Sequence, residues 1–100
     1  KIIDQVKKVS PRTFLVAFKA EYNVSDKELI ERARKRLKDS QADLIVANDV
    51  GREGAGFQTD TNEVFIVDKH RKVVHIQSAP KQDVAKRLLD FINEKMQGKR

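Results

Sequence analysis

Apolar residues in this chain fall in short unbroken runs separated by polar stretches. Leu44-Ile45-Val46-Ala47 and Val64-Phe65-Ile66-Val67 are two such runs. Each has the length and continuity of a strand covered on both faces. Between them stand Gly51, Gly54 and Gly56 with Arg52, Gln58, Thr59, Asp60, Thr61 and Asn62. A segment that polar must run over the surface or line a cavity. The stretch from Asp43 to Asp68 therefore predicts a buried strand, a long loop and a second strand, with the rest of the chain arranged around it.

The flanking segments switch between helical and extended periods. Ile2, Ile3, Val6 and Val9 share one face of a helix predicted over Lys1–Val9, and Ser10-Pro11 ends it, because a residue before proline is pushed out of the α region. Phe14-Leu15-Val16-Ala17 predicts a strand over Thr13–Phe18. Ser25-Asp26-Lys27-Glu28 has the form of a reciprocal N-terminal cap, and Leu29, Ile30, Ala33 and Leu37 supply the buried stripe of the helix that follows. That helix fades at Asp39 to Gln41. A polar turn over Lys69–Lys72 and a strand over Val73–Ile76 predict an antiparallel hairpin with the preceding strand. Pro80 suits a first helical position, and Val84, Leu88, Ile92 and Met96, flanked by Ala85 and Leu89, predict a helix to Met96. The order is helix, strand, helix, strand, strand, strand, helix. The first two strands and their helix make a right-handed crossover. The expectation is an α/β fold: one mixed sheet with helices on its faces.

Composition narrows the class. One hundred residues make one small domain, with 39% apolar and 36% charged residues, the balance of a folded globular chain. No apolar run approaches a membrane span. The absence of cysteine excludes disulfides and sulfur-ligated metals, and fits a reducing cytoplasm. A net charge of +6 invites anionic partners such as phosphates, nucleotides or nucleic acid. Acids interleave with the bases, however, and aromatic residues are only 6%, whereas a nucleic-acid module shows a cleaner basic face or stacking aromatics.

If the first two strands are parallel, their carboxyl ends bring Phe18, Glu21, Asn48, Asp49 and Asp60 around one cleft, the usual place for ligands in open α/β sheets. Asn48 and Asp49 are equally good turn formers, with Phe57 plugging the core. On the first crossover helix, Arg32 and Arg36 form a row beside the buried stripe, within reach of a phosphate at the sheet edge, while Arg34 and Lys38 point away. A solvated face paired with Glu28 and Glu31 is the plain alternative. Gly51–Gly56 is not a phosphate-binding loop of the Walker type, since no Lys-Ser/Thr follows Gly56. His70 and His75 sit on the hairpin, away from any pair of carboxylates at ligand spacing, as surface residues.

Ala47-Asn48-Asp49-Val50, followed by Gly54, Gly56, Phe57, Asp60 and Asn62 in a G-x-G-F-x-x-D-x-N pattern, resembles the C-terminal half of phosphopantothenate–cysteine ligase. That enzyme is the synthetase part of a bifunctional decarboxylase/ligase of coenzyme A biosynthesis. Val16 to Glu21 resembles its G-F-x-A-E segment. Two motifs in the right order, with similarity along the whole chain, make the resemblance specific. It implies a Rossmann-like sheet of which residues 1–100 are the C-terminal part, so that the chain starts within a domain and another segment precedes it.

The resemblance also implies chemistry. CTP or ATP, with Mg, activates the carboxylate of 4′-phosphopantothenate as an acyl nucleotidylate, and the amine of cysteine attacks it. Phe18 matches the nucleotide-contacting phenylalanine. Arg36 stands at the first family lysine and Ser40 at the second, leaving Lys35 or Lys38 to compensate. Ile2 and Ile3 resemble the end of a nucleotide-touching P-x-I segment. Asn48, Asp49, Phe57, Asp60 and Asn62 form the implied substrate loop. The catalytic flap lysine lies upstream, so no catalytic residue falls in this chain, which is implied to be inactive alone. FMN belongs to the decarboxylase part, outside it. A cytoplasmic homodimer that uses neither membrane nor nucleic acid is further implied. A non-catalytic nucleotide-binding domain and a basic nucleic-acid-binding module are the alternative readings.

Overall fold

The computed structural model describes residues 5, 12–51 and 61–98. Four strands form one sheet in the order β1-β2-β3-β4: β1 (Val16–Glu21), β2 (Leu44–Asp49), β3 (Thr61–Asp68) and β4 (Val73–Pro80). β1 and β2 run parallel, while β2–β3 and β3–β4 are antiparallel. Helix α1 (Asp26–Ser40) connects the parallel pair, and α2 (Lys81–Gly98) follows β4. This is the expected mixed sheet.

Two apolar layers hold it. On one face, Leu29, Ala33 and Leu37 of α1 pack on Ala17, Ile45, Ala47, Phe65 and Val67. On the other, Val84 of α2 packs with Leu44, Val46, Val64, Ile66 and Ile76, joined by Leu88, Phe91 and Ile92. Alternate residues of β2 and β3 feed opposite layers, which is why both strands read as continuous apolar runs. Removing Leu29 from its layer would cost about 2–5 kcal/mol, the range for a fully buried leucine.

The α1 cap forms where the sequence places it. Ser25 Oγ accepts the Glu28 N–H at 3.1 Å. The Glu28 carboxylate turns to Arg32 one turn on, at 3.3 Å, instead of completing the reciprocal cap. At the other end Gln41 adopts the left-handed conformation, φ 58°.

Three boundaries differ from the sequence expectation. β1 starts at Val16 and reaches Glu21, later than Thr13–Phe18. Before it, the Leu15 N–H donates to Asp43 Oδ2 at 2.8 Å, while its carbonyl accepts from the Asp43 and Leu44 amides. β4 runs on to Pro80, which pairs with Thr61 at the end of the ladder, so Pro80 closes a strand and the helix starts at Lys81. Within α2, Phe91 packs inward while Leu89 and Met96 are exposed, because α2 covers only part of the sheet. The helix predicted over Lys1–Val9 lies outside the described residues, apart from Gln5, which is helical.

Candidate functional site

β1 and β2 are in register from Val16 opposite Leu44 to Glu21 opposite Asp49, so their carboxyl ends meet as expected for parallel neighbours. The backbone closes that end: the Val50 N–H donates to the Glu21 carbonyl at 2.8 Å. Asp49 is buried, and its carboxylate accepts the amides of Asn23 (2.9 Å), Val24 (2.6 Å) and Gly51 (2.8 Å). Of the two readings available for Asp49, this geometry gives it the structural one: it pins the β1–α1 connection to the end of β2. The Tyr22 ring lies over Gly51, where an added Cβ would fall 2.5 Å from Tyr22 Cδ1.

Strand pleating separates residues that adjacency in sequence had grouped. Ala17 packs in the α1 layer and Val16 in the α2 layer. Side chains alternate along a strand, so Lys19 and Glu21 share the α1 face, and Phe18 lies on the α2 face. Asn48 follows Val46 onto the α2 face, opposite to Asp49. Phe18 is 69% exposed, a large aromatic surface beside the open edge of the sheet. The single cleft expected from the pattern is therefore two surfaces meeting at the edge of β1.

The α1 surface carries charge. Arg32 Nη1 donates to Glu21 Oε1 at 2.6 Å, and Lys19 Nζ lies 3.1 Å from Glu21 Oε2. The Lys19 hydrogen bond, seconded by Arg32 and opposed by partial desolvation, holds the Glu21 carboxyl below its ordinary value. Beside this triad, Lys35, Arg36 and Asp39 complete a hollow of about 300 Å³ with Lys19, Glu21 and Arg32. Arg36 and Lys35 thus face the edge of β1. Lys38 does not: it lines a separate cavity with Arg34 toward the β3–β4 turn. Ser40 is fully buried, its hydroxyl donating to the Arg36 carbonyl at 2.7 Å and accepting the Ala42 amide at 3.3 Å. It closes the helix end and presents nothing to a ligand.

Asn62 lies near the start of β3 and its Oδ1 accepts the Glu63 N–H at 2.9 Å. Ile2, Ile3, Phe57 and Asp60 lie outside the described residues. His75 is paired through Nε2 with Glu63 and stacked on Phe65, ring centroids 4.3 Å apart, so one of the two hairpin histidines is built into the sheet surface. Among the described residues no three His, Asp or Glu side chains converge as metal ligands. No helix of the described residues is long and apolar enough to cross a membrane. Lys19, Arg32 and Tyr22 are contributors that sequence reasoning missed as site residues. The signal for Lys19 was its two-residue offset from Ala17, which assigns it to the α1 face.

A cationic hollow on one side of a strand edge and an exposed aromatic on the other suit an anionic, ring-bearing ligand. Comparison with known proteins bears on which family uses this arrangement. The model of the DNA/pantothenate metabolism flavoprotein C-terminal domain matches residues 1–96. The chain belongs to that family. The resemblance drawn from its motifs is thereby borne out. The chain is 43% identical over 98 residues to the coenzyme A biosynthesis bifunctional protein CoaBC of Thermococcus kodakarensis, covering 96% of this chain and 22% of that protein. It is 38% identical over 93 residues to CoaBC of Bacillus subtilis, covering 91% and 21%. It spans about a fifth of the length of these relatives.

Two solved structures share the fold of this flavoprotein C-terminal domain. The DNA/pantothenate metabolism flavoprotein from Streptococcus pneumoniae superposes with a TM-score of 0.78 at 33% identity, over 94% of this chain and 40% of that one. The C-terminal domain of the coenzyme A biosynthesis bifunctional protein CoaBC gives 0.75 at 31% identity, over 98% and 45%. The α/β sheet is therefore a part of a larger fold in those proteins.

Proposed function

We propose that residues 1–100 are the C-terminal part of a phosphopantothenate–cysteine ligase domain and act in coenzyme A biosynthesis. The observation that carries this reading is the family match across residues 1–96, in a chain whose motif residues Phe18 and Asn48 come together at the ends of two parallel strands. In the reaction, a carboxylate oxygen of 4′-phosphopantothenate attacks the α-phosphorus of CTP or ATP and pyrophosphate leaves. The cysteine amine then attacks the acyl carbon, losing a proton, and the nucleoside monophosphate leaves as the amide forms.

The chain's own share is binding. Arg36, with Lys35 and Lys19 beside it, supplies positive charge toward the phosphates on the α1 side of β1. Phe18 offers its ring to the nucleotide from the other side, so the ligand lies across the edge of the strand. Buried Ser40 leaves the second family lysine without a counterpart, and Lys35 is the residue placed to supply that charge. Asn48 and Asn62, with Phe57 and Asp60, belong to the loop facing the pantothenate. A divalent ion such as Mg would travel on the triphosphate, since the described residues offer it no cluster of carboxylates. The flap lysine and the FMN-binding decarboxylase part are assigned to other segments of the parent protein, which works as a cytoplasmic homodimer.

The test is pyrophosphate release with CTP or ATP, phosphopantothenate and cysteine, run on this chain and on the longer protein that carries it. Turnover by the longer protein alone is the expected result. Failure of the longer protein with both nucleotides would overturn the ligase reading.

A further inference from the structure

The largest cavity among the described residues lies at the other end of the sheet from Phe18 and Asn48. There the last turns of α1, the start of β2 and the β3–β4 turn enclose a hollow of about 710 Å³. Clefts of that size hold small organic ligands. Arg34, Lys38, Lys69 and Arg71 line it, against a single carboxylate, Asp68. Leu37 and Ala42, both buried, form its apolar floor.

The local pairings leave the positive charge in place. Asp68 Oδ1 is occupied by the amides of His70 (2.9 Å) and Lys72 (3.0 Å), and Lys95 stands 3.8 Å from Oδ2. Lys69 pairs with Asp43 at 2.8 Å. Arg34 Nη2 donates only to the Arg71 carbonyl, at 3.4 Å, which brings the two arginines to one rim. Among the described residues neither guanidinium has a carboxylate partner. The carbonyl end of α1 lies at the same rim and opposes an anion with roughly half a charge. Four cations outweigh it.

We propose that this hollow binds a small phosphomonoester, its phosphate held by the Arg34 and Arg71 guanidiniums and its organic part resting on Leu37 and Ala42. Planar guanidiniums match phosphate oxygens two at a time, which lysines do not. The apolar floor is what separates an organic phosphate from a free one as the preferred ligand. This site is independent of the ligase reading: it shares no residue with the edge of β1.

The experiment is an amide chemical-shift titration of the isotopically labelled protein with phenyl phosphate, inorganic phosphate, and sodium chloride at matched ionic strength. Saturable shifts at Leu37, Ala42, Lys69 and Arg71 are expected with phenyl phosphate, at an affinity about threefold or more above that of inorganic phosphate, from burial of the ring. Arg34→Gln and Arg71→Asn should each weaken binding about tenfold by loss of a charge-assisted contact. Asn is chosen because Arg71 has φ 67° and asparagine tolerates that conformation. The variants should leave shifts at Phe18 and Asn48 in place, which also reports that they fold. Shifts that do not saturate, that sodium chloride reproduces, or that persist in both variants would overturn the proposal. So would equal affinity for the two phosphates.

Discussion

Asp49 at the end of β2 accepts the backbone N–H of Val24 at 2.6 Å, joining two residues 25 apart in sequence. The same carboxylate takes the amides of Asn23 and Gly51. A buried acceptor serving three amides is the knot that fixes the start of α1 against the parallel pair. Asp49→Ala leaves those donors unpaired, and the expected loss is about 2–4 kcal/mol at roughly 1 kcal/mol or more per orphaned group. Urea denaturation of the variant measures it. A loss below about 0.5 kcal/mol, the range of ordinary surface substitutions, would show that water replaces the carboxylate.

Glu21 makes stability depend on pH in a defined direction. Its carboxyl is held below the ordinary 4.5 by Lys19 and Arg32. Its contribution is therefore complete above that ordinary value and disappears as the pH falls through the lower folded-state value. Wild type and Glu21→Gln should differ in Tm at pH 7 and converge below pH 4.5 as the carboxylate protonates. The pairs are partly exposed, so added salt should narrow the gap at pH 7 as well. A Tm difference that persists unchanged into acid would assign the effect to packing.

Arg36→Ala should weaken nucleotide binding in the full ligase by about 1.5–3 kcal/mol, the scale of a charge-assisted contact. Lys38→Ala should change it little, because Lys38 lines the other cavity. Isothermal titration with CTP and ATP compares the two variants, and equal losses would contradict the separation of the two flanks of α1.

Gly51→Ala tests the packing of Tyr22. The new Cβ would meet ring carbons at 2.5–2.9 Å. Tyr22 is 70% exposed and has room to swing, so the expected cost is about 1 kcal/mol or less, with a change in tyrosine fluorescence. An unaltered spectrum would mean that the backbone at Gly51 yields instead.

The sequence alone determined the elements and their partners. Continuous apolar runs marked β2 and β3 because both strands are covered on two faces, the i, i+3, i+4 stripe oriented α1, and Ser25 capped it. Motif spacing was enough to give the family. The tertiary structure decided which residues share a surface. Pleating sends Phe18 and Lys19 to opposite faces of the sheet, a parity that depends on which face each run presents to which helix. Burial of Ser40 follows from where α1 ends on the sheet, and the roles of Arg34 and Lys38 from the β3–β4 turn folding back beside them. The triple hydrogen bonding of Asp49 had no local sign, since its donors lie on another segment and a turn-forming aspartate reads the same either way. Local periodicity records what each segment buries, whereas a site is a property of side chains brought together from distant segments.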